Sequence, residues 1–147
     1  MPVHVKVETG NHRQGLEPKA ALALIEAIGA ATGVRLEGVS THFADVEDTT
    51  DHSFARGQLA RFEEFVEACA RVGVVPEIRH CANSAATLLW PEAHYDLVRV
   101  GISAYGMWPS RETTISALQV DRHDVALHPA LSWKARISQV KSVPAGS

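Results

Sequence analysis

A chain of 147 residues, 46% apolar and 21% charged, with a formal net charge of -3, has the makeup of an ordinary globular domain with a sizeable core. The slight negative balance without a basic stripe argues against nucleic-acid binding. No apolar run of about eighteen residues and no signal-peptide layout points to a membrane or to secretion, so a soluble, cytoplasmic protein is expected.

Val3, Val5 and Val7 alternate with His4 and Lys6, which predicts a strand over Pro2 to Val7, ended by Thr9-Gly10. Pro18 suits the first position of a helix, with Leu22, Ile25 and Ile28 on one face and Gly33 as its stop. Arg35 to His42 reads as a second strand. Phe54, Leu59, Phe62, Phe65, Val66, Cys69 and Val72 then recur at helical spacing up to Gly73. Cys69 and Cys81 form no CxxC pair and read as packing residues. Pro76 to His80 is a third predicted strand, Ser84 to Leu89 a short helix, and Asp96 to Val100 a fourth strand. This alternation predicts an α/β fold, a parallel sheet with helices packed on it. Arg111 to Asp124 reads as a connector. From Leu131 to Val143 apolar and polar residues interleave, which predicts a half-exposed antiparallel strand.

Chemistry concentrates where the third and fourth predicted strands end. Ser84 is of the N-cap type, and the free N–H groups behind it suit an anion. Gly101, after Arg99, lets backbone approach a ligand closely. Two successive strand ends that each suit a phosphate are what the late strands of a (β/α)8 barrel provide. Asp45, Glu47, Asp48 and His52 lie in a polar turn before a helix and read as a solvated loop; no metal site is expected.

Ala82-Asn83-Ser84-Ala85-Ala86 with Val98-Arg99-Val100-Gly101-Ile102-x-x-Tyr105-Gly106 closely resembles the pyridoxal-phosphate-dependent alanine racemases. The resemblance recurs at Val3-His-Val-Lys6-Val-Glu8-Thr9-Gly10-x-x-Arg13, at Gly38-Val-Ser-Thr41-His42-Phe43-Ala44, and from Leu127-x-Pro129 onward. It implies the last four βα units of a pyridoxal-phosphate-binding TIM barrel over residues 1–125. Residues 126–147 would then begin a C-terminal β domain. By the family's pattern the chain lacks the lysine that bonds the cofactor and the tyrosine that serves as the opposite base. A fragment inactive by itself is therefore expected.

The resemblance also implies roles. Interconversion of L- and D-alanine for D-alanine and peptidoglycan synthesis is expected, with pyridoxal 5'-phosphate as cofactor, a small amino acid as substrate and a homodimer as the full assembly. Racemisation of another amino acid, a non-catalytic cofactor-binding barrel and a cofactor-free binding module are the alternatives. Ser84, Asn83 and the N–H groups of Gly101 and Ile102 would take the phosphate. Arg99 would face the pyridine nitrogen. A fixed cation about 4 Å away costs a protonated ring roughly 4 kcal/mol at an effective dielectric near 20, so the nitrogen stays bare. Apart from the resemblance, an arginine here would pair with Asp96 or Glu92. His42 would pack beside the ring in a supporting role, and Tyr105 would pack or hydrogen-bond nearby. Arg13 would hold the substrate carboxylate, with a carbamylated Lys6 holding Arg13; Glu8 in place of the commoner aspartate and Asn11-His12 depart from the usual pattern.

Overall fold

The computed structural model describes residues 1–122 and 125–147. Its centre is a parallel three-stranded sheet in the order β1 (Pro2–Lys6), β2 (Arg35–Ser40), β3 (Ile78–His80). Helices α1 (Pro18–Ala30) and α2 (Ser53–Arg71) connect the strands, as parallel pairing requires. Pro18 opens α1 as expected, and Ala21 and Ile25, four residues apart, are its buried contacts. In α2 the buried face is Ala55, Gln58, Leu59, Phe62, Phe65 and Cys69; Phe54 and Val72, from the same apolar pattern, are about half exposed. Gly73 ends this helix at φ +79°, where its N–H reaches the carbonyl of Ala70.

The sheet divides its residues between two faces. Val5, Val7 and Val39 are buried with the helices in one apolar core, while His4 and Lys6 point the other way. Cys69 and Cys81 are both buried and unbonded to each other. The β1–β2 register slips by one residue: Val3 pairs with Leu36 and His4 with Gly38, leaving Glu37 as the extra residue of a bulge.

After β3 come α3 (Ser84–Leu89), two 3-10 turns (Pro91–Ala93 and Ile102–Tyr105) and α4 (Arg111–Gln119). Pro91 stops α3 at Trp90. Trp90, 1% exposed, packs edge-on against Phe43 and His52, with the Arg56 guanidinium 4.2 Å from its ring centroid.

Three expectations are corrected. Asp96 to Val100 is not a strand. It runs beside β3 with two backbone hydrogen bonds, Asp96 N to Arg79 O and Arg99 N to Ala82 O. The Arg79 N–H donates instead to the Asp96 carboxylate, which interrupts a ladder. The connector after Ser110 contains α4, since the Ser110 side chain caps it by accepting from Thr113 N, and Thr113, Ser116 and Ala117 are buried; His123 and Asp124 of that connector lie outside the described residues. Leu131 to Val143 forms no strand. Leu131, Trp133, Ile137, Val140 and Val143 are 69% to 91% exposed: alternation prepares a face for burial, but a strand also needs a neighbour to pair with.

Candidate functional site

The loop after β2, the turn after β3 and the stretch around Arg99 to Ile102 enclose one cavity of about 310 Å³, lined by His42, Glu47, Asn83, Ser84, Arg99, Gly101 and Ile102 among others. That size is at the small end of ligand pockets. Six of the predicted site residues thus meet there, and Ser84 and Arg99 share one cavity.

At one end, Asn83 takes the N-cap of α3, accepting from Ala86 N through its side chain. The cap expected of Ser84 belongs to its neighbour, and this frees the Ser84 hydroxyl. Its oxygen accepts from the N–H of Gly101 at 2.8 Å and of Ser103 at 3.4 Å. The hydroxyl proton remains available to donate to a bound acceptor. The Asn83 amide N–H donates to Glu47 at 2.9 Å, so Asn83 shapes the turn with both ends of its side chain. Because α3 has only six residues, its dipole is short, and the polar groups at this end are the hydroxyl and the backbone N–H groups.

At the other end lies Arg99. Neither Asp96 nor Glu92 pairs with it: Asp96 binds Arg79 and Glu92 binds Arg56. Its guanidinium donates instead to the carbonyls of Thr41 (2.8 Å) and Cys81 (3.1 Å), to Nδ1 of His42 (3.3 Å) and to Nδ1 of His80. Arg99 has no ion-pair partner among the described residues, so this half-buried cation is held by dipoles alone. Burial presses its pKa below the usual arginine value, and a guanidinium keeps its charge at neutral pH. Burial first, and then the Arg99 charge, push both His42 and His80 down to about 4. Both rings are therefore neutral, with Nδ1 accepting from Arg99 and Nε2 carrying the proton. His42 can donate a hydrogen bond in the cavity but cannot act as an acid at neutral pH.

Lys6 reaches Gln14 at 3.5 Å. Its pKa is lowered by burial and then by the charges of Arg13 and Arg99. The Arg13 charge also acts on His42, which sets Arg13 beside this end of the site without lining the cavity. Its loop is shaped by the Glu8 carboxylate, which accepts from the N–H groups of Gly10 and Asn11. Of the acidic loop, Asp45 accepts from Asp48 N and His52 bonds Ser116 beside Trp90. Tyr105, expected to pack or hydrogen-bond near the site, is 63% exposed.

Sequence reasoning missed His80, Glu47 and Gln58. His80 is signalled only by its place at a strand end beside the Arg99 stretch. Gln58 stands among the apolar positions of α2 and carries no signal of its own in the sequence. It is fully buried, accepts from Ala44 N at 2.9 Å, and donates to His42 O and Thr9 Oγ1, pinning the loops after β1 and β2 together.

Residues 1–109 match the family described as alanine racemase, N-terminal domain. The alanine racemase of Carboxydothermus hydrogenoformans is 45% identical over 143 residues, 97% of this chain and 36% of that protein. That of Leptospira interrogans is 38% identical over 145 residues, 99% of this chain and 37% of that protein. Among solved structures, alanine racemase of Clostridium difficile 630 in complex with cycloserine superposes with a TM-score of 0.76 at 30% identity, covering 88% of this chain and 34% of that one. The Bacillus anthracis alanine racemase with bound L-Ala-P gives 0.75 at 33% identity, covering 88% and 32%. The chain spans 36% to 37% of the length of these curated relatives.

Proposed function

This chain belongs to the alanine racemase N-terminal domain family, and from that premise we propose that it supplies the cofactor-holding part of an enzyme interconverting L- and D-alanine. The observation that carries the reading is one cavity with a hydroxyl and N–H cluster at Ser84 and a carboxylate-free cation at Arg99. Those two ends fit pyridoxal 5'-phosphate, a dianionic phosphate joined to a basic pyridine. When bound, that group supplies an electron-withdrawing ring that eases removal of a proton from the amino acid.

This chain's residues then have defined tasks. Ser84 donates its hydroxyl proton to the phosphate, and the N–H of Ile102 and that of Gly101, once it leaves the Ser84 oxygen, complete the cradle, with Asn83 holding the turn. Arg99 donates to the ring nitrogen and keeps it proton-free, so the ring is a weaker electron sink and proton transfer depends on well-placed bases. His42, neutral by burial, fixes the guanidinium from the cavity side. Arg13 binds the substrate carboxylate through its planar fork. Lys6, its amine more often neutral than an ordinary lysine's, is suited to carbamylation, which would give Arg13 an anionic partner. Residues 1–125 would form the later βα units of a barrel and residues 126–147 the start of a β domain, in a cytoplasmic homodimer making D-alanine for peptidoglycan.

Titrating the full chain with pyridoxal 5'-phosphate and following its absorbance tests this. Saturable binding is expected, weakened roughly tenfold or more by Ser84→Ala, because a hydrogen bond to a charged group is worth about 1.5–3 kcal/mol. No saturation, or equal affinity in Ser84→Ala, would refute the cradle.

A further inference from the structure

Behind Arg99, on the side away from the cavity, hydrogen bonds continue in a line. His80 bonds Arg99 through Nδ1 and His4 through Nε2, at 2.8 Å from His4 Nδ1. His4 Nε2 lies 3.1 Å from Glu37 Oε2. A guanidinium can only donate and a carboxylate can only accept, so the two ends impose a single direction. His80 must accept at Nδ1 and donate from Nε2. His4 must then accept at Nδ1 and donate from Nε2 to Glu37. Both rings are neutral Nε2–H tautomers, and no other assignment satisfies every contact.

Two departures from regular sheet geometry make this line possible. The bulge at Glu37 turns that side chain onto the face where His4 stands. At Gly38, directly across from His4, a Cβ would lie 2.8 Å from the His4 ring atoms Cε1 and Nδ1. The sheet is thus opened at one position and re-aimed at its neighbour around one imidazole. The other charged groups facing this end are Arg35, which holds the second Glu37 oxygen at 3.0 Å, and Lys6, whose charge reaches His80.

We propose that His4 and Glu37 are positioning residues: they lock His80 as a hydrogen-bond acceptor and thereby hold the Arg99 guanidinium in place for the cofactor ring. Without the carboxylate, His4 is free to change tautomer or turn. His80 then loses a fixed acceptor and can protonate Nδ1, which leaves Arg99 a donor facing a donor. The link to the cofactor rests on the function proposed above, whereas the tautomers do not.

The test uses the full chain labelled with 15N-histidine. At neutral pH, His4 and His80 should both show a protonated Nε2 and a bare Nδ1. In Glu37→Leu the His4 signals should become a mixture of tautomers, and pyridoxal 5'-phosphate should bind about tenfold more weakly. Glu37→Gln, whose amide oxygen still accepts, should recover both the Nε2–H form and the binding lost in Glu37→Leu. A bare Nε2 on His80 in the unmodified chain would overturn the proposal, and so would equal loss of binding in the two variants. If the unmodified chain does not bind pyridoxal 5'-phosphate, the functional reading fails while the tautomer pattern still decides whether the line exists.

Discussion

Acidification should destabilise this chain well before its carboxylates protonate. His42 and His80 are each held at about 4 in the fold against an ordinary 6.5. Between those values the unfolded chain binds protons that the folded chain refuses, so stability rises with pH through the window and falls as pH drops. A shift of 2.5 units corresponds in full to about 3 kcal/mol for one group. Both imidazoles are only half-buried, and solvent screening reduces each to roughly 1–2 kcal/mol. Because they share Arg99, the two are not additive, and a combined loss of about 2–3 kcal/mol from pH 7 to 4 is expected. His52, also depressed chiefly by burial, adds to the slope in the same direction. Glu8, Glu92 and Asp96 lie below the ordinary carboxylate values, so their stabilisation is lost only at lower pH. Urea unfolding at half-unit pH steps reads the slope directly. His80→Gln should remove about half of it, since an amide accepts from Arg99 and donates to His4 without titrating. Constant stability between pH 6.5 and 4.5, or an unchanged slope in His80→Gln, would refute the reasoning.

Two further outcomes test the frame around the site. Gly38→Ala should cost at least about 1–3 kcal/mol by urea unfolding, because the new Cβ meets the Ile78 carbonyl oxygen at 2.5 Å as well as the His4 ring; a loss under about 0.5 kcal/mol would show that β2 and β3 yield easily. Gln58→Leu keeps the volume but removes the acceptor of the Ala44 N–H, a part-buried hydrogen bond, an expected cost of about 0.5–1.5 kcal/mol. An unchanged unfolding midpoint would mean that this amide finds another acceptor.

The helices and first strands were legible locally because burial imposes a period. Ile25 four residues after Ala21, and Phe62, Phe65 and Cys69 along α2, each announce one wet and one dry face. The same rule misled at Leu131 to Val143, where apolar alternation exists but no neighbouring strand supplies hydrogen bonds. It passed over α4, whose evidence is a Ser110 cap and three small buried residues rather than an apolar stripe. It is silent on Gln58, because an apolar period cannot show that three groups from other loops converge on one amide.

By itself, the sequence determined which side chains are available: a hydroxyl at Ser84, a permanent cation at Arg99, and neutralisable imidazoles at His4, His42 and His80. It also determined the order of strands and helices that carries them to one end of a parallel sheet. Tertiary structure alone decided their partners. Asp96 went to Arg79 and Glu92 to Arg56, leaving Arg99 to carbonyls and imidazoles, and the Glu37 bulge turned a carboxylate toward His4. The reason is physical: availability is a property of one residue, whereas hydrogen-bond direction and pKa depend on which groups, tens of residues away, the fold brings within 3 Å.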